Sequence, residues 1–377
     1  MNYLKHFIIS LIVMSVTIGS FNWFVDPYGL YWSPIVTGVN NKKIKSSERG
    51  RLTKDYRVLQ VAPEILIVGN SRVEMGFDDK SRFFEGHQVY NYASPGIGLE
   101  TQFNRAFTQI KQNPNLHTIY LSLDFLDFLH SRQKIKPSKL SVIDSDFKVL
   151  SFLMSLMTLT DSVSTLVGQK RQANHINRRG THIPEDFISI TQHEGLTALF
   201  RQKLNEIYTR LNRKQLFLIM EDGSSAGIRQ LEEVIEQTRK HKIELKLFIN
   251  PYHYSYLHVL QDSGYFEEYI HWKKLLAQLA GKQSISIIDF SGFNALTSEQ
   301  VNLAENHNQM AWFWEPAHYK AELGERMLSE LNNGNVNPQF GRILSPDNIT
   351  AIIAEDYLGL DEYQLQWQHL KSGINLD

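Results

Sequence analysis

Ile65-Leu66-Ile67-Val68-Gly69-Asn70-Ser71-Arg72 is the stretch on which the fold turns. Four apolar residues in a row, three of them β-branched, read as a strand buried on both faces. The run stops at Gly-Asn-Ser, so the strand hands a serine to its C-terminal end, where ligands and chemistry sit in open α/β sheets. The pattern recurs downstream. His87–Tyr92 alternates and stops at Ala93-Ser94-Pro95-Gly96, a helix fits Leu99 to Lys111 with Phe103, Ala106, Phe107 and Ile110 on one face, and a third strand fits Thr118–Leu123. Strand–helix–strand alternation predicts an α/β fold with a parallel sheet and right-handed crossovers.

From Phe125 to Asn212 the alternation is interrupted. Val149–Leu166 is rich in Leu, Met, Ser and Thr at helical spacing, Gln169–Arg179 is polar and basic, and Leu199–Leu211 is amphipathic. This block reads as a helical insertion over the active edge of the sheet, its Met-Leu stripe serving as core. The α/β pattern then resumes with a short strand at Leu216–Met220, a helix at Ala226–Lys240, a strand at Glu244–Ile249, a helix at Tyr265–Ala280, a last strand at Ser284–Asp289 and a helix at Lys320–Leu331. A weak helical pattern runs from Asn348 to His369. The expected organisation is a membrane anchor (1–24), a connector (25–60), an α/β domain (61–333, with the insertion at 125–212) and a tail (334–377).

The anchor rests on Phe7–Phe24, which carries no charge and matches the roughly 18–20 residues needed to cross hydrocarbon. Lys5 and His6 precede it, Trp23 and Phe24 close it, and no small-x-small cleavage site follows. That layout predicts a retained signal anchor with the globular part outside the cytoplasm. The 377 residues leave room for one large or two ordinary domains, and 42% hydrophobic with 21% charged residues describe a folded chain. A net charge of −1 excludes an electrostatic case for a nucleic-acid partner. The basic run Lys42, Lys43, Lys45, Arg49, Arg51, Lys54 reads as a solvated linker, with docking to anionic head groups or a polyanionic substrate as the alternative. With no cysteine, thiolate zinc sites, disulfides and cysteine catalysis are all excluded.

Ser71 is either a helix cap or a nucleophile whose N–H also faces a developing oxyanion. Far downstream, Glu315-Pro316-Ala317-His318 offers a base and, three residues before it, an acid to orient it. Gly96 would add a second N–H to the same crevice, and Trp312-Phe313-Trp314 would wall a sugar or acyl pocket. Val73 occupies the last position of a Gly-x-Ser-x-Gly elbow, so that motif is absent. Asn250-Pro251 and Asp289-Phe290-Ser291 end later strands, as substrate-facing loops or as ordinary turns. Metal and phosphate signals are weak: His253 and His258 lie five apart, Gly96-Ile97-Gly98 lacks a third glycine, and Gly223-Ser224-Ser225 lacks a lysine.

Gly69-Asn70-Ser71-Arg72, Asn91 with Gly96, and Glu315-x-x-His318 resemble the first, second and last blocks of the SGNH/GDSL hydrolase superfamily. The anchor followed by Val25-Asp26-Pro27-Tyr28 is similar to the membrane-anchored, extracytoplasmic branch that includes the alginate and cell-wall O-acetylation proteins and the D-alanyl-lipoteichoic-acid protein. The resemblance covers Glu64 to Leu331 outside the insertion. It implies a three-layer α/β/α sandwich of flavodoxin-like type, with Ser71 as nucleophile, His318 as base, Glu315 as its acid partner, and Gly96 with the Ser71 N–H as oxyanion hole. The implied reaction is acyl-ester cleavage or O-acyl transfer, O-acetyl in particular, on a cell-envelope or exported polysaccharide. It needs no metal or organic cofactor, and its partners are the glycan or acyl ester and a membrane-bound acyl-donor protein. Two departures stand out. Glu315 replaces the usual Asp, and Asp124 follows the third strand where the family places a hydrogen-bond-donating asparagine. An ionised Asp124 cannot donate. It is protonated, or it pairs with Arg72 and leaves the oxyanion to backbone groups, or the site is catalytically degenerate.

Overall fold

In the computed structural model, which describes residues 2–131, 145–334 and 336–376, five strands run parallel. They are β1 (Ile65–Val68), β2 (Val89–Asn91), β3 (Thr118–Leu123), β4 (Glu244–Ile249) and β5 (Ile287–Asp289), and they lie side by side in the order 2-1-3-4-5. Two short strands, β6 (Phe313–Glu315) and β7 (His318–Tyr319), form an antiparallel hairpin outside this sheet, and β8 (Arg342–Ile343) adds antiparallel to β5. Every residue of β1 and β3 is buried, so both faces of the sheet are covered, as the unbroken apolar run required. The strand order reverses between β1 and β3, which opens a crevice where Gly69-Asn70-Ser71 and Asp124 leave the sheet.

The chain divides into two compact units, residues 62–134 with 187–377 and residues 1–61 with 135–186. The first holds the mixed α/β fold. The second begins with helix α1 (Asn2–Val25), whose segment Tyr3–Val25 is long and apolar enough to cross a membrane, with mean hydropathy 1.9. In the sheet unit follow α2 (Ser71–Gly76), α3 (Leu99–Gln112), α4 (Leu196–Arg213), α5 (Ala226–Lys240), α6 (Tyr254–Asp262), α7 (Phe266–Gln283), α8 (Ala321–Asn333), α9 (Ile349–Glu362) and α10 (Gln364–Gly373). Helices α3, α5 and α7 pack as one row, and α2 packs on α8.

Several expectations are corrected. The stretch read as a tail supplies β8, α9 and α10, the two helices falling where the weak helical pattern from Asn348 to His369 placed them. A buried charge cluster holds them, in which Lys273 lies 2.7 Å from Asp289 and pairs with Asp356, while Arg342 reaches Asp289 at 2.9 Å and Asp356 at 3.0 Å. The partners come from distant parts of the chain, so no local pattern announces them. The expected strand at Leu216–Met220 shrinks to Leu216–Phe217, which pairs with His130–Ser131 outside the main sheet. Asp289 faces Lys273 and Arg342 rather than a ligand crevice.

Residues 25–60, read as a connector, are folded around the end of α1. The buried Asp26 carboxylate accepts from Leu30 N (2.8 Å), Tyr31 N (3.2 Å) and Trp32 N (2.8 Å). Lys43, expected in a solvated run, is fully buried and donates to the Val25 carbonyl at 2.9 Å. Burial pushes the Asp26 carboxyl up and the Lys43 ammonium down, each toward its neutral form. The proposed insertion is divided between the units. Its segment 132–144 lies outside the described residues, Ser145–Leu153 and Leu156–Gly168 pack with α1, and α4 belongs to the sheet unit. The Met-Leu stripe is core only in part: Val149 is buried with Tyr28 and Leu30, whereas Leu150, Met154, Leu156, Met157 and Val163 are exposed.

Candidate active site

Gly69 lets β1 end where it does. A Cβ there would lie 2.0 Å from Ser122 Oγ and 2.6 Å from Val73, so only glycine permits the last turn of β1 to lie against β3. Asn70 then caps α2, its side chain accepting from Arg72 N at 3.1 Å. The cap role falls to Asn70, which leaves the Ser71 hydroxyl for other work. Ser71 occupies the first helical position, where the N–H has no intrahelical acceptor.

His318 Nε2 lies 2.7 Å from Ser71 Oγ. The other ring nitrogen, Nδ1, is hydrogen-bonded to Glu315 Oε1, and Glu315 Oε2 accepts from Ala317 N at 2.8 Å. The hairpin β6–β7 creates this closeness by pairing Glu315 directly with His318. Glu315 is buried, which by itself would push its carboxyl up. The charge and hydrogen bond of His318 outweigh that and hold it below the ordinary range. Serine, imidazole and carboxylate thus form one hydrogen-bonded chain.

Arg72 Nε donates to the Ala317 carbonyl at 2.7 Å, and its guanidinium is ion-paired with Asp124. It also lies over the Tyr252 and Tyr256 rings, 4.6 and 4.7 Å from their centroids. The ion pair with Arg72 that one of the three readings of Asp124 called for is present. Gly96 has φ +62°, a left-handed conformation that suits glycine, and it borders the same cavity.

That cavity has a volume of about 290 Å³ and is lined by Ser71, Arg72, Gly96, Asp124 and His318, with Asn70, Ile97, Gly98, Leu126, Asp127, Tyr256 and Ala317. The remaining wall is α4, through Lys203, Glu206, Ile207 and Arg210. Sequence reading missed this polar wall. Its signal was present: Lys203, Glu206 and Arg210 are spaced three and four apart, on one helical face. Asp127 was missed too. It accepts from Asn70 Nδ2 at 3.0 Å and Gln102 Nε2 at 2.8 Å, which fixes the cap that presents the serine.

Other expected residues lie elsewhere. Asn250 is fully buried and accepts from Tyr319 OH at 3.1 Å, so it does not line the cavity. Asn91 is likewise buried, donating to the Val73, Glu74 and Phe77 carbonyls and thereby tying α2 to β2. Of the aromatic run, Phe313 packs on His253, Trp312 lies beside Arg326, and Trp314 stacks on Phe187, which in turn lies 6.0 Å from His318. None of the three borders the cavity. His253 and His258 are core histidines: one bonds Ser255 Oγ and the Glu299 carbonyl, the other stacks on Trp367. Among the described residues, one group could hold a metal ion, Glu64 with His87 and His117, whose ligand atoms lie within 4.8 Å of one another. It sits where the chain enters β1, β2 and β3, at the end of the sheet opposite Ser71.

The arrangement supports one chemistry: removal of the serine proton by an oriented imidazole. No family model matches the chain, and no curated protein matches it.

Proposed function

We propose that the chain is a membrane-tethered serine esterase or O-acyltransferase of SGNH type, acting on acyl esters of a cell-envelope or exported polysaccharide. The observation that carries this reading is the 2.7 Å contact of Ser71 Oγ with His318 Nε2, backed by Glu315 on Nδ1. His318 takes the hydroxyl proton as Oγ attacks the acyl carbonyl, then returns it to the departing alcohol. Glu315 holds the imidazole in the required tautomer and steadies the imidazolium. The resulting serine ester is resolved by water, giving hydrolysis, or by a glycan hydroxyl, giving transfer. Backbone N–H groups of Ser71 and Gly96 serve the oxyanion, because Asp124 is engaged by Arg72.

Support for the fold type comes from the strand order 2-1-3-4-5, which is the flavodoxin-like order, with the site at its switch point. That order, together with a sheet buried on both faces, supports the reading of a three-layer α/β/α sandwich. The small polar cavity, with Lys203, Glu206, Arg210 and Asp127 on its walls, suits a short acyl group on a polyhydroxylated carrier. With α1 as a signal anchor in the cytoplasmic membrane, the sheet unit faces the periplasm and meets its acyl donor as a membrane-bound protein. Incubation with p-nitrophenyl acetate tests the reading. The expected result is one acetyl group on the Ser71 peptide, discharged faster by an oligosaccharide acceptor if the enzyme is a transferase. Acetylation elsewhere, or none, contradicts it.

A second reading has one observation in its favour, the carboxylate of Asp124 beside the oxyanion position. In that reading the fold binds a glycan or an envelope assembly partner without catalysis. It predicts that Ser71→Ala and His318→Ala bind glycan and complement as well as the parent chain.

A further inference from the structure

The helix Leu156–Gly168 is built inside out. Its buried residues are Thr158, Ser162, Thr165 and Gly168, all small or hydroxylated. Leu156, Met157, Val163 and Val167 point outward and are 49–69% exposed. A helix bathed in water turns its apolar stripe inward. In lipid the preference inverts, because hydrocarbon covers apolar side chains without penalty and small residues let helices approach closely. Leu150 and Met154, on and just after the preceding helix, are also half exposed and enlarge the apolar surface. Between Val149 and Gln169 the one charged residue is Asp161, and its carboxylate is occupied by Tyr28 OH at 2.5 Å.

The small face of this helix is turned toward α1. Ser162 Oγ donates to Asn22 Oδ1 at 3.0 Å, and Asn22 Nδ2 donates to the Leu153 and Ser155 carbonyls at 2.8 and 3.3 Å. Met154 lies 3.2 Å from the place a Cβ would take on Gly19. These contacts fall in the last two turns of α1, beside Trp23, where a spanning helix reaches the membrane interface. The outward apolar face is therefore continuous with the exposed apolar surface of α1. At 13 residues the helix rises roughly 20 Å, too short to cross about 30 Å of hydrocarbon.

The geometry points to a second membrane contact: the pair Ser145–Leu153 and Leu156–Gly168 lies in the boundary between head groups and acyl chains, with Met154, Leu156, Met157, Val163 and Val167 against lipid. This rests on the reading of α1 as a membrane span. The bilayer would then hold the α1 unit at two places, fixing its rotation about the anchor as well as its depth.

The chain has no cysteine, so single cysteines can be labelled in the full-length protein in lipid nanodiscs. A nitroxide is placed at V163C and at V167C, with V13C within α1 and K170C at an exposed polar site as references. Accessibility to oxygen and to a water-soluble nickel chelate is measured by power saturation. The expected result is that positions 163 and 167 resemble 13, with oxygen access several-fold above nickel access, while 170 shows the reverse. Labels at 163 and 167 that behave like 170 overturn the proposal and leave the anchor standing. Labels there that are shielded from both reagents show a protein cover and overturn it as well. A water-exposed label at 13 removes the anchor and this contact together.

Discussion

Arg72 Nε donates to the Ala317 carbonyl at 2.7 Å although 245 residues separate the two. They are the immediate neighbours of Ser71 and His318, so this clasp sets the approach of hydroxyl to imidazole. The same guanidinium pairs with Asp124, where both side chains are buried. Arg72→Ala strands the Asp124 carboxylate and should destabilise the chain by about 3–5 kcal/mol, measured by unfolding in detergent. Arg72→Lys keeps the charge but loses the planar fork. It should lower the rate of serine acylation about 100-fold, the usual result of misplacing reacting groups by an ångström. An Arg72→Ala/Asp124→Ala double variant should regain part of the lost stability.

Glu315→Gln keeps the shape of the dyad but removes the charge that orients His318. Acylation of Ser71 should fall by about 10³–10⁴. The carboxyl of Glu315 is held below its ordinary value of 4.5 by His318. A depressed carboxylate stabilises the fold above its unfolded value, and that stability is lost as pH falls through the folded one. The parent chain should therefore lose stability below about pH 4.5, and Glu315→Gln should lack that part of the loss, as followed by circular dichroism.

The strand ending in Gly-Asn-Ser, the parallel alternation and the Glu315–His318 pair were legible because each is local: period, punctuation and spacing lie within a few residues. Asn70 rather than Ser71 as the cap was not, because both residue types cap helices and only the fold decides between them. Asn250 looked like a crevice residue for want of any sign that Tyr319 would cover it. The folded stretch after α1 was missed because its organiser, buried Asp26, reads in sequence as one more charged residue beside a proline. The spacing of Lys203, Glu206 and Arg210 sets them on one helical face, but which cavity that face borders depends on where α4 packs.

Two core histidines should make the sheet unit acid-sensitive. Burial pushes both His253 and His258 down to about 4. Unfolded imidazoles take up protons below about 6.5, whereas the folded ones do so only near 4. The unfolded state thus binds more protons across that interval, and stability should fall as pH drops through it. His258 stacks on Trp367, and among the described residues neither ring nitrogen has a hydrogen-bond partner. His258→Phe should equal or exceed the parent in melting temperature at pH 7 and flatten part of the decline between pH 6.5 and 4.

Gly69→Ala places a methyl 2.0 Å from Ser122 Oγ. Relief requires the end of β1 to move, and Ser71 moves with it. Expected is a loss of about 1–3 kcal/mol in stability, the usual cost of overpacking a core, and a larger proportional loss in acylation rate. Gly69→Ala/Ser122→Gly should recover only part of both, as read by thermal unfolding and acylation kinetics, because the methyl still meets Val73 at 2.6 Å.

Fluorophosphonate labelling of the full-length chain tests the central claim most directly. The account predicts one covalent adduct on Ser71, abolished in Ser71→Ala and slowed at least 100-fold in His318→Ala. An undiminished adduct in Ser71→Ala, or a parent chain that does not react at all, would contradict it.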